Sequence, residues 1–434
     1  MKIWQKDNST TQAVVEQFTV GRDPEFDMLL ARYDVQGSLA HTRMLHRVGL
    51  LSEQEWLELE KGLLQIATDI EAGTFTIEAG VEDIHSQVEL ILTRQTGEAG
   101  KKIHTGRSRN DQVAVDIKLF LRDELRTIRG LVLRLFEQLL DLSEQHKNVM
   151  LPGYTHLQVA MPSSFGLWFG AWAESLTDDM EMLIAAERIV NKNPLGSGAG
   201  YGSGFPLDRK MTTELLGFRT LCHNSVYAQM GRGKAEKVVA AAMGGLGGTL
   251  SRFCMDICLY MSQNFGFIEF PADWTTGSSI MPHKKNPDVF ELIRAKGNRL
   301  QALPNELTML QTNLPSGYHR DMQLTKEILF PAIQDLKSCL TILTEALKVI
   351  TVKDNILKDE KYRYIFSVEA VNELVKAGHS FREAYVMVGN AIETGVYTHN
   401  TNIALNHTHE GSLGNLCTEE IRHEMNELLN LREK

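Results

Sequence analysis

The chain has 434 residues, 43% hydrophobic and 23% charged. That is the balance of a soluble globular protein and excludes a disordered or fibrous chain; at roughly 150 residues per domain it predicts about three domains. Lys and Arg number 45 against 55 Asp and Glu, a net charge of −10, which disfavours nucleic acid and anionic membranes as partners but leaves room for a local basic pocket.

The opening segment, MKIWQKDNST, lacks the apolar region of a secretory signal. No run reaches the ~18 consecutive apolar residues of a membrane span. The five cysteines, Cys222, Cys254, Cys258, Cys339 and Cys417, are scattered without a CxxC pair. We therefore expect a cytoplasmic protein with reduced thiols and neither a disulfide framework nor a zinc cluster.

All eleven prolines lie at position 24 or between 152 and 331. Proline breaks helix interiors, so the long proline-free stretches permit very long helices. The first is predicted over Asp111–His146, where Val115, Leu119, Leu125, Ile128, Val132, Leu135 and Leu139 recur at helical spacing, with Ser108 or Asn110 as its cap. At ~35 residues it would extend ~50 Å, a length suited to side-by-side packing in a bundle. Helical patterns follow at Met161–Val190, Gly233–Gln263, Val289–Leu310 and Ile328–Ile350, and strand patterns are scarce. The stretch Val238–Leu250 carries four glycines, which cost helix stability and suit a deep interface where backbones approach closely; it predicts a bundle built between subunits. Lys353–Tyr364 reads as a charged linker. Beyond it come a helix over Phe366–Ala377 ended by Gly378, and a second restarted by a capping box at Ser380–Glu383 and running through Asn390. The architecture expected is mainly α.

Four stretches carry more chemistry than bundle filler needs. HTGRSRNDQ, His104–Gln112, places Ser108, Arg109 and Asn110 at a helix start, whose free N–H groups and dipole attract carboxylates and phosphates; alone, it fits a capping loop equally well. LPGYTHLQVAMP, Leu151–Pro162, holds Thr155 and His156 in a proline-flanked loop, and histidine is the default acid or base near neutrality. TTGSSIMPHKKNPDVFELIR, Thr275–Arg294, is a loop of hydroxyls and cations, with Ser278, Lys284 and Asn286, leading into a helix that bears Glu291. LPSGYHRDMQLTKE, Leu314–Glu327, spaces Tyr318, Arg320, Gln323 and Lys326 so that several share a helical face; by itself this fits a solvated surface better. NHTHE, Asn406–Glu410, sets two histidines two apart, not the four of a helical zinc pair, and reads as a solvated loop.

Together these stretches resemble the fumarase/aspartase superfamily of lyases. GSSIMPHKKNPD, Gly277–Asp288, matches its signature loop GSSxMPxKxNP, and HTGRSRNDQ, GYTHLQ and YHRDMQLTKE are similar to the argininosuccinate lyase family within it. DVQGSLAH, EDIHSQVE, NPLGSG and SFREAYVMVG fit the same family, in order, from about residue 34 to 390. The resemblance implies a three-domain lyase: an N-terminal helical domain (1–105), a central long-helix domain (106–352) and a small C-terminal helical domain (353–434). It implies a homotetramer whose central helices form a twenty-helix bundle and whose active sites each draw on three subunits. It further implies reversible elimination of argininosuccinate to arginine and fumarate, in arginine biosynthesis, without metal or organic cofactor. A sister lyase acting on a related substrate, such as an acylated one, and a crystallin-like structural protein are the alternatives.

Residue by residue, the resemblance makes Ser278 the catalytic serine, His156 the catalytic histidine and Glu291 the carboxylate that orients it. It sets Lys284 and Asn286 over the substrate carboxylates. Ser108, Arg109, Asn110, Thr155, Tyr318, Gln323 and Lys326 fall on substrate-binding positions, and His85 and Arg232 on further pocket positions. Whether Ser278 or His156 is the base stays open. The chain also departs from the family: His283 replaces the usual glutamine, Gly231 and Gly233 flank Arg232 where aspartates are usual, the stretch from Gly200 to Gly204 differs, and FTVGRDPEFD (residues 18–27) supplies no serine where FNASxxYD does.

Overall fold

The computed structural model describes residues 13–398, 405 and 407–430. The fold is mainly helical, in chain order α1 (Ala13–Val20), α2 (Asp23–Arg47), α3 (Glu53–Glu71), α4 (Ile84–Thr96), α5 (Glu98–Lys101), α6 (Arg109–Gln145), β1 (Met150–Thr155), β2 (Gln158–Ser164), α7 (Phe165–Val190), β3 (Lys192–Asn193), α8 (Arg209–Leu215), β4 (Thr220–Leu221), α9 (Ser225–Met230), α10 (Lys234–Met261), β5 (Ile268–Glu269), α11 (Asp288–Leu310), α12 (Thr325–Leu347), β6 (Thr351–Val352), α13 (Ser367–Lys376), α14 (Phe381–Glu393) and α15 (Thr418–Asn430). Six of these helices exceed 20 residues: α6, at 37 residues, α7, α10, α11 and α12 fall where helical patterns are expected, whereas α2, at 25 residues, has no counterpart among the expected helices.

The chain forms two compact units, each assembled from separate stretches. The first comprises Met1–Arg129, Met182–Gly247 and Arg299–Lys337; the second comprises Gly130–Glu181, Gly248–Asn298 and Ser338–Lys434. In the first, α2, α3 and α4 enclose a core of Leu45, Leu59, Leu63, Ile66, Val88 and Leu92. Helix α3 starts at a reciprocal capping box, Ser52 with Glu55, which satisfies two of its orphan N–H groups. In the second, Trp168, Phe253, Tyr260 and Phe265 pack ring against ring, and the Trp168 indole donates to Asp256 Oδ2 at 3.1 Å. Helix α10 is long and apolar enough to cross a membrane, but 61% of its apolar window is buried inside the protein, as in a core helix.

Several sequence expectations need correction. Met161–Ser164 is not helical: it forms the end of β2, which pairs antiparallel with β1. The loop expected around Thr155 and His156 is therefore the tip of a hairpin. Gly233 stands outside α10 with φ +75, where an added Cβ would lie 2.5 Å from Gln311 Cδ, so this glycine is required by both backbone and space. Helix α12 starts at Thr325, three residues before the expected Ile328, and ends at Leu347. Lys353–Tyr364 is no linker: it folds into 3₁₀ turns at Ile356–Lys358 and Glu360–Tyr362, with Tyr362 1% exposed and its hydroxyl 3.1 Å from that of Tyr154. Helix α14 has the capping box read from sequence but runs on to Glu393. In NHTHE, Asn406 lies outside the described residues, and His407 is not simply solvated: its Nε2 lies 2.9 Å from Glu369 Oε1 on α13.

Candidate active site

The first unit holds a polar cavity of about 230 Å³ lined by Val20, Asp23, Asp27, Glu82, Asp83, His85, Arg109, Asn110, Val113, Arg232, Tyr318, Arg320, Gln323 and Lys326. Eight residues singled out from sequence meet here: His85, Arg109, Asn110, Arg232, Tyr318, Arg320, Gln323 and Lys326. They come from four separate stretches of chain.

Local structure explains how each is held. Ser108 caps α6: its Oγ accepts from the Asn110 N–H at 3.3 Å, and its own N–H donates to Asp111 Oδ1 at 2.7 Å. Asn110 is therefore inside the helix, not its cap. The other Asp111 oxygen accepts from the Gly196 and Gly198 amides at 2.8 and 3.0 Å, which ties NPLGSG to the start of α6. Burial pushes the Asp111 carboxyl up to about 6, against these N–H donors. Asp83 caps α4 by accepting from the Ser86 N–H at 2.9 Å, and Arg109 bridges Glu82 at 3.1 Å and Asp83 at 3.0 Å. Burial alone would raise the Asp83 carboxyl, but the charges of His85 and Arg109 and the Ser86 amide hold it below the usual range. Arg232 pairs with Glu236 at 3.3 Å and donates to the Met322 carbonyl at 3.2 Å, with its guanidinium 5.8 Å from the Tyr318 ring centre. Tyr318 lies in the loop before the 3₁₀ turn Arg320–Leu324, so the expected single helical face is broken into loop, turn and helix. The Gln323 amide donates to the Thr19 and Val20 carbonyls at 3.1 and 3.2 Å.

The sequence reading missed two features. Asp23 and Asp27, on the first turns of α2, both face Lys326 Nζ, at 2.5 and 2.6 Å. Burial and the charge of Asp27 push the Asp23 carboxyl up to about 6, against the pull of Lys326. Burial opposes the charge on Lys326, but the two carboxylates hold its pKa above the usual value. Where the family resemblance leads one to expect a serine, the chain has the aspartates of RDPEFD. Behind the cavity, His85 Nδ1 lies 2.7 Å from Asp34 Oδ1 and 3.8 Å from Asp116 Oδ2. Burial disfavours its protonation, yet Asp34, Asp83 and Asp116 push it up to about 9. Asp34, His85 and Asp116 bring one ligand atom each within 4.8 Å of one another, close enough for a small cation, although an imidazolium already supplies positive charge there.

The remaining predicted residues belong to the second unit. Thr155 and His156 are exposed at the hairpin tip. There Thr155 pairs with Gln158, and His156 and Leu157 take φ +53 and +58. That is a two-residue turn of the left-handed type, which matches strand twist but strains non-glycine residues. In the signature loop Ser278 Oγ accepts from the Ile280 and Met281 amides at 3.4 and 3.1 Å. Asn286 closes the loop: its N–H donates to the Thr276 carbonyl at 2.8 Å, and its side-chain amide to the Gly277 carbonyl at 3.3 Å. Lys284 is exposed. Glu291, in the first turn of α11, lies 4.0 Å from Arg294. Within one chain no hydrogen bond joins His156 to Glu291 or to Ser278.

The Lyase family model matches residues 8–302. The argininosuccinate lyase of Bacteroides thetaiotaomicron is 58% identical over 420 residues, 97% of this chain and 94% of its own. That of Phocaeicola vulgatus is 55% identical over 428 residues, 99% and 95% of the two chains. That of Desulforamulus reducens is 44% identical over 395 residues, 90% and 85%. Among solved structures, EDDS lyase in complex with formate superposes with a TM-score of 0.77 at 23% identity, covering 98% of this chain and 91% of that one. The fumarate lyase:delta crystallin from Brucella melitensis bound to cobalt gives 0.72 at 17%, covering 93% and 91%. At such identities the structural likeness concerns the fold.

Proposed function

Since the chain belongs to the argininosuccinate lyase family, we propose that the first unit's cavity is the substrate pocket of an enzyme that eliminates fumarate from argininosuccinate and leaves arginine. The chain is a carbon–nitrogen lyase of arginine biosynthesis. The observation that carries the assignment to this cavity is the convergence of His85, Arg109, Asn110, Arg232, Tyr318, Gln323 and Lys326 on one polar hollow.

The reaction removes a proton from the carbon beside a carboxylate. The C–N bond then breaks, its electron pair goes to the guanidino nitrogen, and that nitrogen takes up a proton. Positioned acid and base groups supply only ~10²–10⁴-fold. The larger contribution must come from donors aimed at the charge that spreads into the carboxylate. A serine hydroxyl is too weak a base at neutral pH unless its alkoxide is stabilised. The two amides already directed at Ser278 Oγ and the neighbouring Lys284 support Ser278 as the base. His156, oriented by Glu291, then protonates the leaving guanidine; the reverse assignment of His156 as base and Ser278 as acid is the competing form of the same mechanism. Lys284 and Asn286 hold the substrate carboxylates, and Ser108 and Thr155 complete the binding set.

Thr155 and His156 on the hairpin, Ser278, Lys284 and Asn286 in the signature loop and Glu291 on α11 belong to the second unit, whereas Ser108 and the cavity belong to the first. We therefore infer a homotetramer whose sites combine pieces of three copies around the long helices, keeping the organisation 1–105, 106–352 and 353–434. No cofactor enters the mechanism. The five free thiols support a cytoplasmic location.

The test is incubation of the purified enzyme with argininosuccinate while fumarate absorbance is followed. Wild type should release fumarate, and Ser278→Ala should bind substrate but turn over at least ~10²–10⁴-fold more slowly. Absence of fumarate from wild type removes the reading, and near-normal turnover by the variant removes the role of Ser278.

A further inference from the structure

Resting on the reading that this cavity receives argininosuccinate, we propose that Asp23 is a specificity-determining residue: with Asp27 it forms an anionic seat for the free α-ammonium group of the substrate, so the enzyme selects the unmodified α-amine over Nα-acylated forms.

The argument begins with charge. Two carboxylates, Asp23 and Asp27, share one ammonium, Lys326, at 2.5 and 2.6 Å, which leaves one negative charge unmatched at this end of the cavity. The other cations of the lining are engaged elsewhere. Arg109 bridges Glu82 and Asp83, Arg232 pairs with Glu236, and Arg320 faces Glu82 at 3.6 Å and donates to the Thr19 carbonyl at 2.9 Å.

Exposure then selects the residue. The side chains of Lys326 and Asp27 are 3% and 4% exposed, whereas that of Asp23 is 20% exposed and lines the cavity. The surplus charge therefore meets the ligand through Asp23. Its carboxyl, displaced upward by burial and by Asp27, would be stabilised in its charged form by a second cation beside it.

Position agrees. Asp23 opens α2 within FTVGRDPEFD, the segment that has no serine where the family places a neutral binding hydroxyl. A hydroxyl loses little when the nitrogen beside it becomes an amide; the carboxylate pair loses more, because acylation removes the ammonium charge, adds bulk and leaves one of the two negative charges unmatched. Argininosuccinate carries two cationic groups, an α-ammonium and a guanidinium. Acylation removes only the first, which makes it a selective probe.

The experiment measures kcat/KM for fumarate release from argininosuccinate and from its Nα-acetyl derivative, in wild type, Asp23→Ser, Asp23→Asn and Asp23→Glu. Wild type should prefer the free amine by roughly 100-fold or more, as expected where a charged partner is lost from a buried site. Asp23→Ser and Asp23→Asn should bring the ratio below about tenfold, mainly through KM, and Asp23→Glu should keep most of it. In parallel, calorimetry on the unaltered enzyme should show arginine binding at least about tenfold more tightly than Nα-acetylarginine, a result independent of variant folding. The proposal is overturned if wild type treats both substrates alike or prefers the acetylated one, if both variants lower the two substrates equally, or if the two product ligands bind alike. Absence of fumarate from either substrate with wild type would instead remove the parent reading, and this one with it.

Discussion

His85 shows what a single buried group can do to the energetics of the site. It is enclosed with Asp34, Asp83 and Asp116, and their charges lift its pKa from the ordinary 6.5 to about 9 against the effect of burial. A group that holds its proton more tightly when folded stabilises the fold fully below its unfolded pKa and loses that contribution as pH rises through the folded value. The window is therefore pH 6.5 to 9, and a shift of this size corresponds to about 3 kcal/mol. The melting temperature of wild type should fall as pH rises from 6.5 to 9.5, and His85→Gln, with no titrating imidazole, should flatten that slope while starting lower. Parallel curves for the two proteins would show that the charge is not held as described. At this scale the sequence was legible wherever polar side chains clustered in short strings, as in SRN and QLTK. It was not legible where two segments about 300 residues apart meet, as Asp23 and Asp27 do with Lys326. Acidic residues opening a helix read simply as complements to its dipole, and nothing local names their partner.

At the scale of elements, periodicity and proline placement located the long helices from α6 onward to within a few residues, because both report directly on what a helix interior tolerates, but named neither α2 nor α3. The hairpin escaped. GYTHLQ has neither Asn-Gly nor Asp-Gly at its turn, so the usual signal was missing, and β2 continued into an apolar helical pattern that absorbed Met161–Ser164. What fixes the hairpin is its junction with the helices. Gly166, at the start of α7, packs so closely that an added Cβ would lie 2.5 Å from Lys147 Cα and 2.7 Å from the Ser143 carbonyl oxygen. Ser143 Oγ also donates to the Gly166 carbonyl at 2.7 Å. The obstructing atoms are backbone and backbone-adjacent, so they cannot swing aside. Gly166→Ala should destabilise the protein by about 1–3 kcal/mol, the range for overpacking, read as a lower denaturant midpoint. Gly277→Ala, at a position with open space around it, is the control and should stay within about 0.5 kcal/mol of wild type. Equal effects at the two sites would contradict the packing account.

For the whole molecule, the long helices leave apolar side chains in the open: Met255 on α10, Leu292 and Met309 on α11 and Ile342 on α12 are exposed in the single chain. Scattered singly these would mean little, but on helices of this length they are the kind of surface that further copies cover. The glycine-rich run of α10 suggested such a core from sequence, since small residues let backbones approach. What no string of residues displayed is how the expected site residues divide between the compact units, with the polar cavity in one and His156 and Ser278 in the other. If sites are completed by different copies, a chain defective in one contribution can be rescued by a chain defective in another. His156→Asn and Gln323→Ala should each be nearly inactive and assemble like wild type. Mixed, gently dissociated and reassembled, they form hybrids in which some sites receive an intact hairpin from one chain and an intact cavity from the other. Activity in that mixture should rise well above either parent treated alone, and remixed His156→Asn with itself should not recover. Hybrids that form, as shown by tagged co-purification, yet stay as inactive as their parents would place the whole site within one chain and end the shared-site reading.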